Sequence, residues 1–294
     1  MAAGPQQVNP TSVGDLRRHA PARLQASDSP RLDVDLLLAH VLGCDRVQLL
    51  AHPERTLRTG ETATLEALLA RRASGEPVAY LLGYKGFANL VLAVTPDVLI
   101  PRPDTETLVN AVLARCDSRA RTVLDLGTGS GAIALALADQ RGEWHLIATD
   151  RSRAALNVAW ENSLRSEIFN LRFLQSDWTT GLADGCADAI VSNPPYVGPL
   201  DAIDDALRFE PACALFAGED GLADIRLIVA DAPRVLRAGG WLAIEHGATQ
   251  GEAVRALFAA AGLADIVTER DLAGHERATC GRLRAGATHG GSDR

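Results

Sequence analysis

Asn193-Pro194-Pro195-Tyr196 is the stretch of this 294-residue chain whose residue types, in that order, suit one chemical task. An amide or aromatic amine is a poor nucleophile because its nitrogen lone pair is delocalised. Two acceptors aimed at its N–H groups hold the NH₂ and favour a pyramidal nitrogen. The Asn193 side-chain oxygen supplies one acceptor, and the Pro194 carbonyl supplies the other on a backbone stiffened by two prolines. The Tyr196 ring offers a flat face to a planar group, and its negative π-face suits a nearby sulfonium cation. Catalysis of this kind is positioning, with the nitrogen and an electrophilic methyl carbon held in line roughly 3–3.5 Å apart. No base is needed first, because the nitrogen becomes strongly acidic only once methylated. The sequence shows no His–carboxylate pair with an evident catalytic role. N-P and P-P are also ordinary turn dipeptides, but the four residues together outweigh that reading.

A second constellation lies upstream. Val123-Leu124 reads as a short strand, and Asp125-Leu126 leads from it into Gly127, Thr128, Gly129, Ser130 and Gly131, with a helix following. Glycines there let the backbone turn tightly and approach a ligand, while the helix start aims free N–H groups at it. Gly127, Gly129 and Ala132 also fit the dinucleotide fingerprint. Taken alone, the match reads as readily as a turn that packs a helix on a sheet. Asp150 ends the next strand, 23 residues after Gly127. A doubly wound fold places a ribose-binding carboxylate at that point, so the pair favours an adenosine-type ligand and leaves NAD and S-adenosylmethionine both open. Gln175-Ser176-Asp177-Trp178 closes a third strand. Trp178 suits stacking on adenine and Asp177 suits accepting from its N6 amine, with core packing the rival reading for Trp178. Glu245 and His246, ending the strand that starts at Trp241, read as structural, and Asp204 and Asp205 as solvated charges.

These residues need a scaffold. From about residue 120 the sequence alternates short apolar strands with helical stretches, which predicts an α/β sheet with parallel pairing and right-handed crossovers. Residues before about 80 carry helical periodicity instead. Ser29-Pro30 predicts a helix start with a capping hydroxyl, Leu32 to Leu42 its apolar face, and Gly43 its end. Thr62 to Arg72 predicts another helix, and Pro21 interrupts the first one. Phe87, Leu90, Leu92 and Val94 suggest a two-stranded ribbon, and Pro101 and Pro103 lead into a helix. The Gly-rich end, residues 285–294, reads as disordered.

Composition bounds the function. The chain is 47% apolar and 22% charged, which excludes global disorder. A net charge of −8 lacks the footprint of a protein that grips long nucleic acid. No apolar run is long enough to span a bilayer, so no membrane is expected. Asp15 and Asp28 argue against a transit peptide. Five scattered cysteines without a CxxC pair predict a reducing cytoplasm, small apolar fillers and no metal site.

The glycine loop, the aspartate after the next strand, the QSDW segment and NPPY together resemble class I S-adenosylmethionine-dependent methyltransferases acting on nitrogen. Three further stretches narrow the resemblance: Gly75 to Tyr80, Leu99 to Glu106, and Arg208-Phe209-Glu210-Pro211. With helices before them, they are similar to the PrmC/HemK family. That family implies a glutamine N5-methyltransferase acting on the Gly-Gly-Gln glutamine of class 1 peptide chain release factors. It implies a helical substrate-recognition domain over 1–82, a β-hairpin linker over 83–102 and a Rossmann-like methyltransferase domain over 103–284. S-adenosyl-L-methionine is the implied cofactor, held by Gly127 to Gly131, Asp150, Asp177, Trp178 and Asn193. Asn193, Pro194, Pro195 and Tyr196 would receive the glutamine. A monomer with no stable nucleic-acid partner is expected. The ribbon departs from the family pattern at Gly86 and Ala88, where an acidic residue and a tryptophan are expected. A nucleic-acid adenine or guanine N-methyltransferase is the leading alternative, since NPPY loops also serve flipped bases. The acidic stretch Asp201 to Asp205 opposes it. A cofactor-binding scaffold would not need Asn193, and a dinucleotide oxidoreductase has no use for the NPPY loop.

Overall fold

The computed structural model describes residues 12–119, 121–198 and 205–284. The expected disordered end and Asp201 to Asp204 of the acidic run lie outside the described residues. The chain forms two compact units, Met1–Gly83 with Asp204–Phe209, and Tyr84–Ile203 with Glu210–Arg294.

The first unit is helical: α1 (Val13–His19), α2 (Pro30–Leu42), α3 (Arg46–Ala51), α4 (Thr59–Ala73) and α5 (Val78–Leu82). Val13, Val34, Leu37, Leu38, Leu65 and Leu69 form its fully buried centre. Pro30 starts α2 and Gly43 ends it in the left-handed conformation, as the sequence predicts. The Ser29 hydroxyl, however, makes no cap bond. Its backbone (φ −138°, ψ 58°) departs from the extended conformation from which a cap side chain reaches the helix amides. Pro21 lies in a 3₁₀ turn, Ala20–Arg23, that follows α1. The Arg72 Nε donates to Asp33 at 2.6 Å, and the Ser27 hydroxyl donates to the same carboxylate at 2.7 Å. That buried pair fastens α4 to α2.

The second unit opens with an antiparallel ribbon, β1 (Tyr84–Phe87) and β2 (Leu90–Ala93). A 3₁₀ turn starting at Pro103 leads into α6 (Glu106–Arg115). Strands and helices then alternate: β3 (Thr122–Leu126), α7 (Ala132–Gln140), β4 (His145–Asp150), α8 (Arg153–Arg165), β5 (Leu171–Gln175) and β6 (Ala187–Ser192). The chain finishes with α9 (Ala223–Val235), β7 (Leu236–Glu245), α10 (Gly251–Ala260), β8 (Leu263–Arg270) and β9 (Glu276–Leu283).

Seven strands make one sheet in the order β5-β4-β3-β6-β7-β9-β8. The first five neighbours run parallel, but β9 pairs antiparallel with both β7 and β8. The expectation of parallel pairing therefore fails at this end. Only residues 271–275 separate β8 from β9, too few for a crossover and enough for a hairpin. Alternate residues of the central strands feed two cores. Val123, Ala189, Val191 and Ala243 meet α6 and α7 on one face, and Leu124, Ile190, Leu242 and Ile244 meet α9 and α10 on the other. α7 is buried on every side from Ala132 to Ala138, which its Ala-Leu sequence permits.

Asn162, fully buried on α8, ties the ribbon to the glycine loop. Its oxygen accepts from the Ala93 N–H at 2.6 Å, and its Nδ2 donates to the carbonyls of Ala93 at 3.0 Å and Ser130 at 2.9 Å. Three such bonds contribute about 1 kcal/mol each, and stranding buried backbone groups costs about 1–3 kcal/mol more, so this one side chain outweighs any surface ion pair here.

Candidate active site

Strand order reverses between β3 and β6, and ligands of open α/β sheets bind outside the carboxyl ends of strands at such a point. Leu126 and Ser192 are register partners there, and the Ser192 hydroxyl donates to the Leu126 carbonyl at 2.7 Å. The glycine loop and the NPPY turn are thus rooted side by side. Between them opens a cleft of about 990 Å³ that includes open solvent. It is lined by Gly127, Thr128, Gly129, Ser130, Asp150, Asp177, Trp178, Asn193 and Pro195. Gly131, Pro194 and Tyr196 are not among its lining residues. Gly131 instead caps α7 at φ +84°, and a Cβ there would come within 3.1 Å of Ala159 and Leu135. Its small size serves packing rather than ligand approach.

Gly127 has a similar internal reason. A Cβ on it would sit 3.0 Å from the Trp178 ring, and its φ is +74°. Trp178 itself holds a left-handed backbone at φ +48°, and its indole N–H donates to Asp224 at 3.2 Å. The indole is therefore fixed against the glycine loop with one edge on the cleft. Asp224 also lines the cleft, and burial pushes its carboxyl up despite the Trp178 bond and Arg151.

Asp125, fully buried, organises the loop from below. It accepts from the Thr128 hydroxyl at 2.6 Å and from the Ala134 N–H of α7 at 3.2 Å. Desolvation pushes its carboxyl up to about 7, against the pull of those two bonds. Its second oxygen has no partner among the described residues. Asp150 accepts from Gly129 N–H at 3.0 Å with one oxygen and from Ser152 N–H at 2.8 Å with the other. Ser152, not Asp150, caps α8. Each Asp150 oxygen keeps a lone pair for a ligand hydroxyl on the cleft side.

On the opposite wall the Asn193 Nδ2 donates to the Thr105 hydroxyl at 3.3 Å. With the nitrogen end occupied, the oxygen end is left to a substrate donor. The Tyr196 hydroxyl donates to Glu245 at 3.4 Å, while its carbonyl accepts from Gln250 Nε2 at 3.0 Å. Arg102 and Glu210 form an ion pair, and Glu210 also accepts from the Ile100 N–H at 2.9 Å. Two of the stretches that carry the family resemblance thus meet, and Leu99, Pro101, Arg102 and Thr105 become a wall of the cleft. His246 is buried, donates from Nδ1 to the Gly247 carbonyl at 2.9 Å and accepts at Nε2 from Thr279 at 2.8 Å. Burial lowers its pKa, in keeping with a structural role.

Sequence reasoning missed Thr105, Asp224, Asn162 and Gln250. Thr105 lies inside a quoted stretch, yet nothing in its spacing announces a bond to a residue 88 positions away. Among the described residues there is no group of three or more His, Cys, Asp or Glu side chains that could hold a metal ion. No described helix is long and apolar enough to cross a membrane.

The cleft fits S-adenosylmethionine on these observations: free carboxylate lone pairs at Asp150, an indole locked beside the glycine loop, and an adjoining carboxamide oxygen. Comparisons with known proteins agree. A family model described as the PrmC N-terminal domain matches residues 15–83, and one described as the methyltransferase small domain matches residues 103–208. The chain is 47% identical over 267 residues to the release factor glutamine methyltransferase of Escherichia coli (strain K12), covering 90% of this chain and 96% of that one. It is 48% identical over 262 residues to the same-named protein of Vibrio cholerae, covering 88% and 91% respectively. A methyltransferase structure from Pyrococcus furiosus shares the fold at a TM-score of 0.52 and 16% identity, covering 77% of this chain and all of that one. The chain belongs to the family of release factor glutamine methyltransferases.

Proposed function

We propose that this enzyme transfers a methyl group from S-adenosyl-L-methionine to the side-chain amide nitrogen, N5, of the glutamine in the Gly-Gly-Gln motif of class 1 peptide chain release factors. The observation that carries the reading is the fixed Asn193 carboxamide, whose Nδ2 is bonded to Thr105 beside the glycine-loop cleft. The relatives' shared name supplies the substrate class.

The bound cofactor supplies an electrophilic methyl on a positively charged sulfur. Gly127 to Ser130 and Asp150 would hold it, with Asp177, Trp178 and Asp224 also lining the cleft. Asn193 Oδ1 and the Pro194 carbonyl accept the two N–H bonds of the incoming carboxamide and fix its nitrogen toward the methyl group. The Pro194–Pro195 backbone is buried and keeps that geometry without reorganisation. The Tyr196 ring flanks the amide plane. Methyl transfer leaves a cationic nitrogen that still carries both hydrogens. One is then lost to water as a proton, and the single N–H of the product stays on one of the two acceptors. Gly131 contributes indirectly by seating α7 beneath the loop.

The partner is a release factor, met in the cytoplasm by a monomeric enzyme. Residues 1–82 recognise it, 83–102 link, and 103–284 carry the chemistry. The cysteines, none of them paired in a disulfide, suit that compartment.

Incubation with methyl-labelled S-adenosylmethionine and purified release factor, RNA or DNA tests this assignment. Label enters the release factor alone. A Gln→Asn change in its Gly-Gly-Gln motif abolishes the signal, because the shorter side chain cannot bring the nitrogen to the methyl group. Robust labelling of the asparagine variant, or of RNA or DNA, overturns the assignment.

A further inference from the structure

Asn193 to Tyr196 run between two anchored ends, and the sheet accounts for only one of them. At that end the Ser192 hydroxyl ties β6 to the Leu126 carbonyl at 2.7 Å. Pro194 and Pro195 have no N–H to give, and among the described residues no backbone hydrogen bond joins the four residues to one another. Their geometry therefore depends on what holds the second end. Val197 supplies part of that hold: its N–H donates to the Leu215 carbonyl at 2.9 Å, and its carbonyl accepts from the Ala217 N–H at 3.1 Å. Gln250, at the start of α10, supplies the rest. Its Nε2 donates to the Tyr196 carbonyl at 3.0 Å and lies 3.4 Å from the carbonyls of Asp220 and Gly221. Its Oε1 accepts from the Gly247 N–H at 2.9 Å.

Every neighbour agrees on which way the Gln250 carboxamide faces. Turned over, it would set its NH₂ against the Gly247 N–H and its oxygen against three carbonyls, none of which can donate. The chain also crowds the Tyr196 carbonyl from a second side. Gly221 holds a left-handed backbone at φ +69°, and a Cβ on it would overlap the Tyr196 carbonyl oxygen and come within 2.7 Å of Gln250 Nε2. The Pro194 carbonyl, two residues back, accepts from no described residue. Holding the turn at Tyr196 fixes its shape and leaves the Pro194 oxygen for a substrate. We propose that Gln250 is a positioning residue for methyl transfer: by clamping the Tyr196 carbonyl it sets Asn193 and the Pro194 carbonyl in the geometry that receives the substrate amide. The inference rests on the glutamine-methyltransferase reading and deepens it.

Steady-state methylation of release factor by the full chain, with S-adenosylmethionine affinity and thermal melts measured alongside, tests the clamp. Gln250→Glu keeps the side-chain length and the acceptor for Gly247, and a carboxylate at the start of α10 suits the helix dipole. A merely structural role therefore predicts an active enzyme. The clamp predicts the opposite, because the carboxylate has no hydrogen to give to the Tyr196 carbonyl. Its kcat falls at least 10-fold, since misplacing a reacting group by about 1 Å costs on the order of 10²-fold. Gln250→Met, of similar length without either polar end, falls as far. Gly221→Ala, which pushes on the same carbonyl from its other side, also falls at least 10-fold. The S-adenosylmethionine Kd stays within about 3-fold in all three, because neither Gln250 nor Gly221 lines the cleft. The inference is overturned if Gln250→Glu, shown folded by its melt, loses less than 10-fold in kcat, or if its cofactor affinity falls as far as its turnover. Should that variant not fold, Gln250→Met and Gly221→Ala decide by the same thresholds. Wild-type turnover of release factor reports on the activity itself, and the variant-to-wild-type ratios report on the clamp, so the two readings fail separately.

Discussion

Asn193→Ala lowers methyl transfer by roughly 10²–10³-fold, or about 2.7–4 kcal/mol of barrier, the range seen when one pre-aimed hydrogen-bonding group is removed from a reaction centre. The loss appears in kcat. In the ground state the substrate amide is planar and water would satisfy its N–H groups nearly as well. Only as the nitrogen pyramidalises do two fixed acceptors surpass solvent, so their effect is concentrated in the transition state. Asn193 borders the cofactor cleft but offers no charge to it, and cofactor affinity therefore stays within a few-fold. The check is single-turnover methylation beside a cofactor-binding titration. Near-normal turnover by this variant rules out the acceptor mechanism.

Asp150→Ala produces the complementary pattern. S-adenosylmethionine binding weakens by about 10²-fold, since hydrogen bonds to a charged group contribute about 1.5–3 kcal/mol each. The structure adds a second reason. Asp150 accepts from the N–H groups of both Gly129 and Ser152, so its removal loosens the glycine loop as well as the ligand contact. Turnover at saturating cofactor stays within about 3-fold, because nothing at the NPPY turn is disturbed. Calorimetric titration decides the matter, and an affinity within 3-fold of the wild type would show that Asp150 only caps its own loop.

The two variants divide the cleft into a binding half and a reacting half, and that division was legible in the sequence because each half is written in contiguous residues. Gly127 to Gly131, Asp150 and Asn193 to Tyr196 follow strands whose short apolar stretches locate them, and a parallel sheet brings strand ends together without further information. The far end of the sheet was less legible. β8 buries only Leu263, leaves the rest of its residues half-buried or exposed and carries Thr268, Glu269 and Arg270, so its apolar signal shrinks to Ile266 and Val267. The hairpin with β9 follows from a connection whose shortness shows only once both strands have their full length. The supporting residues were not legible for a different reason. Thr105, Asn162, Asp224 and Glu245 reach the site across 32 to 88 positions of chain, and their roles arise from register and packing rather than spacing. Glu245 was read as structural together with its neighbour His246. Its partner Tyr196 comes from another part of the chain. The glycines carried a related lesson: Gly127 answers to Trp178 and Gly131 to Ala159, both far away in sequence.

The direct test of the acceptor pair is a crystal structure of the enzyme with S-adenosylhomocysteine and a release factor, or its Gly-Gly-Gln peptide. The account predicts the glutamine amide nitrogen about 2.7–3.2 Å from both Asn193 Oδ1 and the Pro194 carbonyl oxygen, with Asn193 Nδ2 still on Thr105. A glutamine bound away from the NPPY turn, or one met there by the Asn193 NH₂, would contradict it.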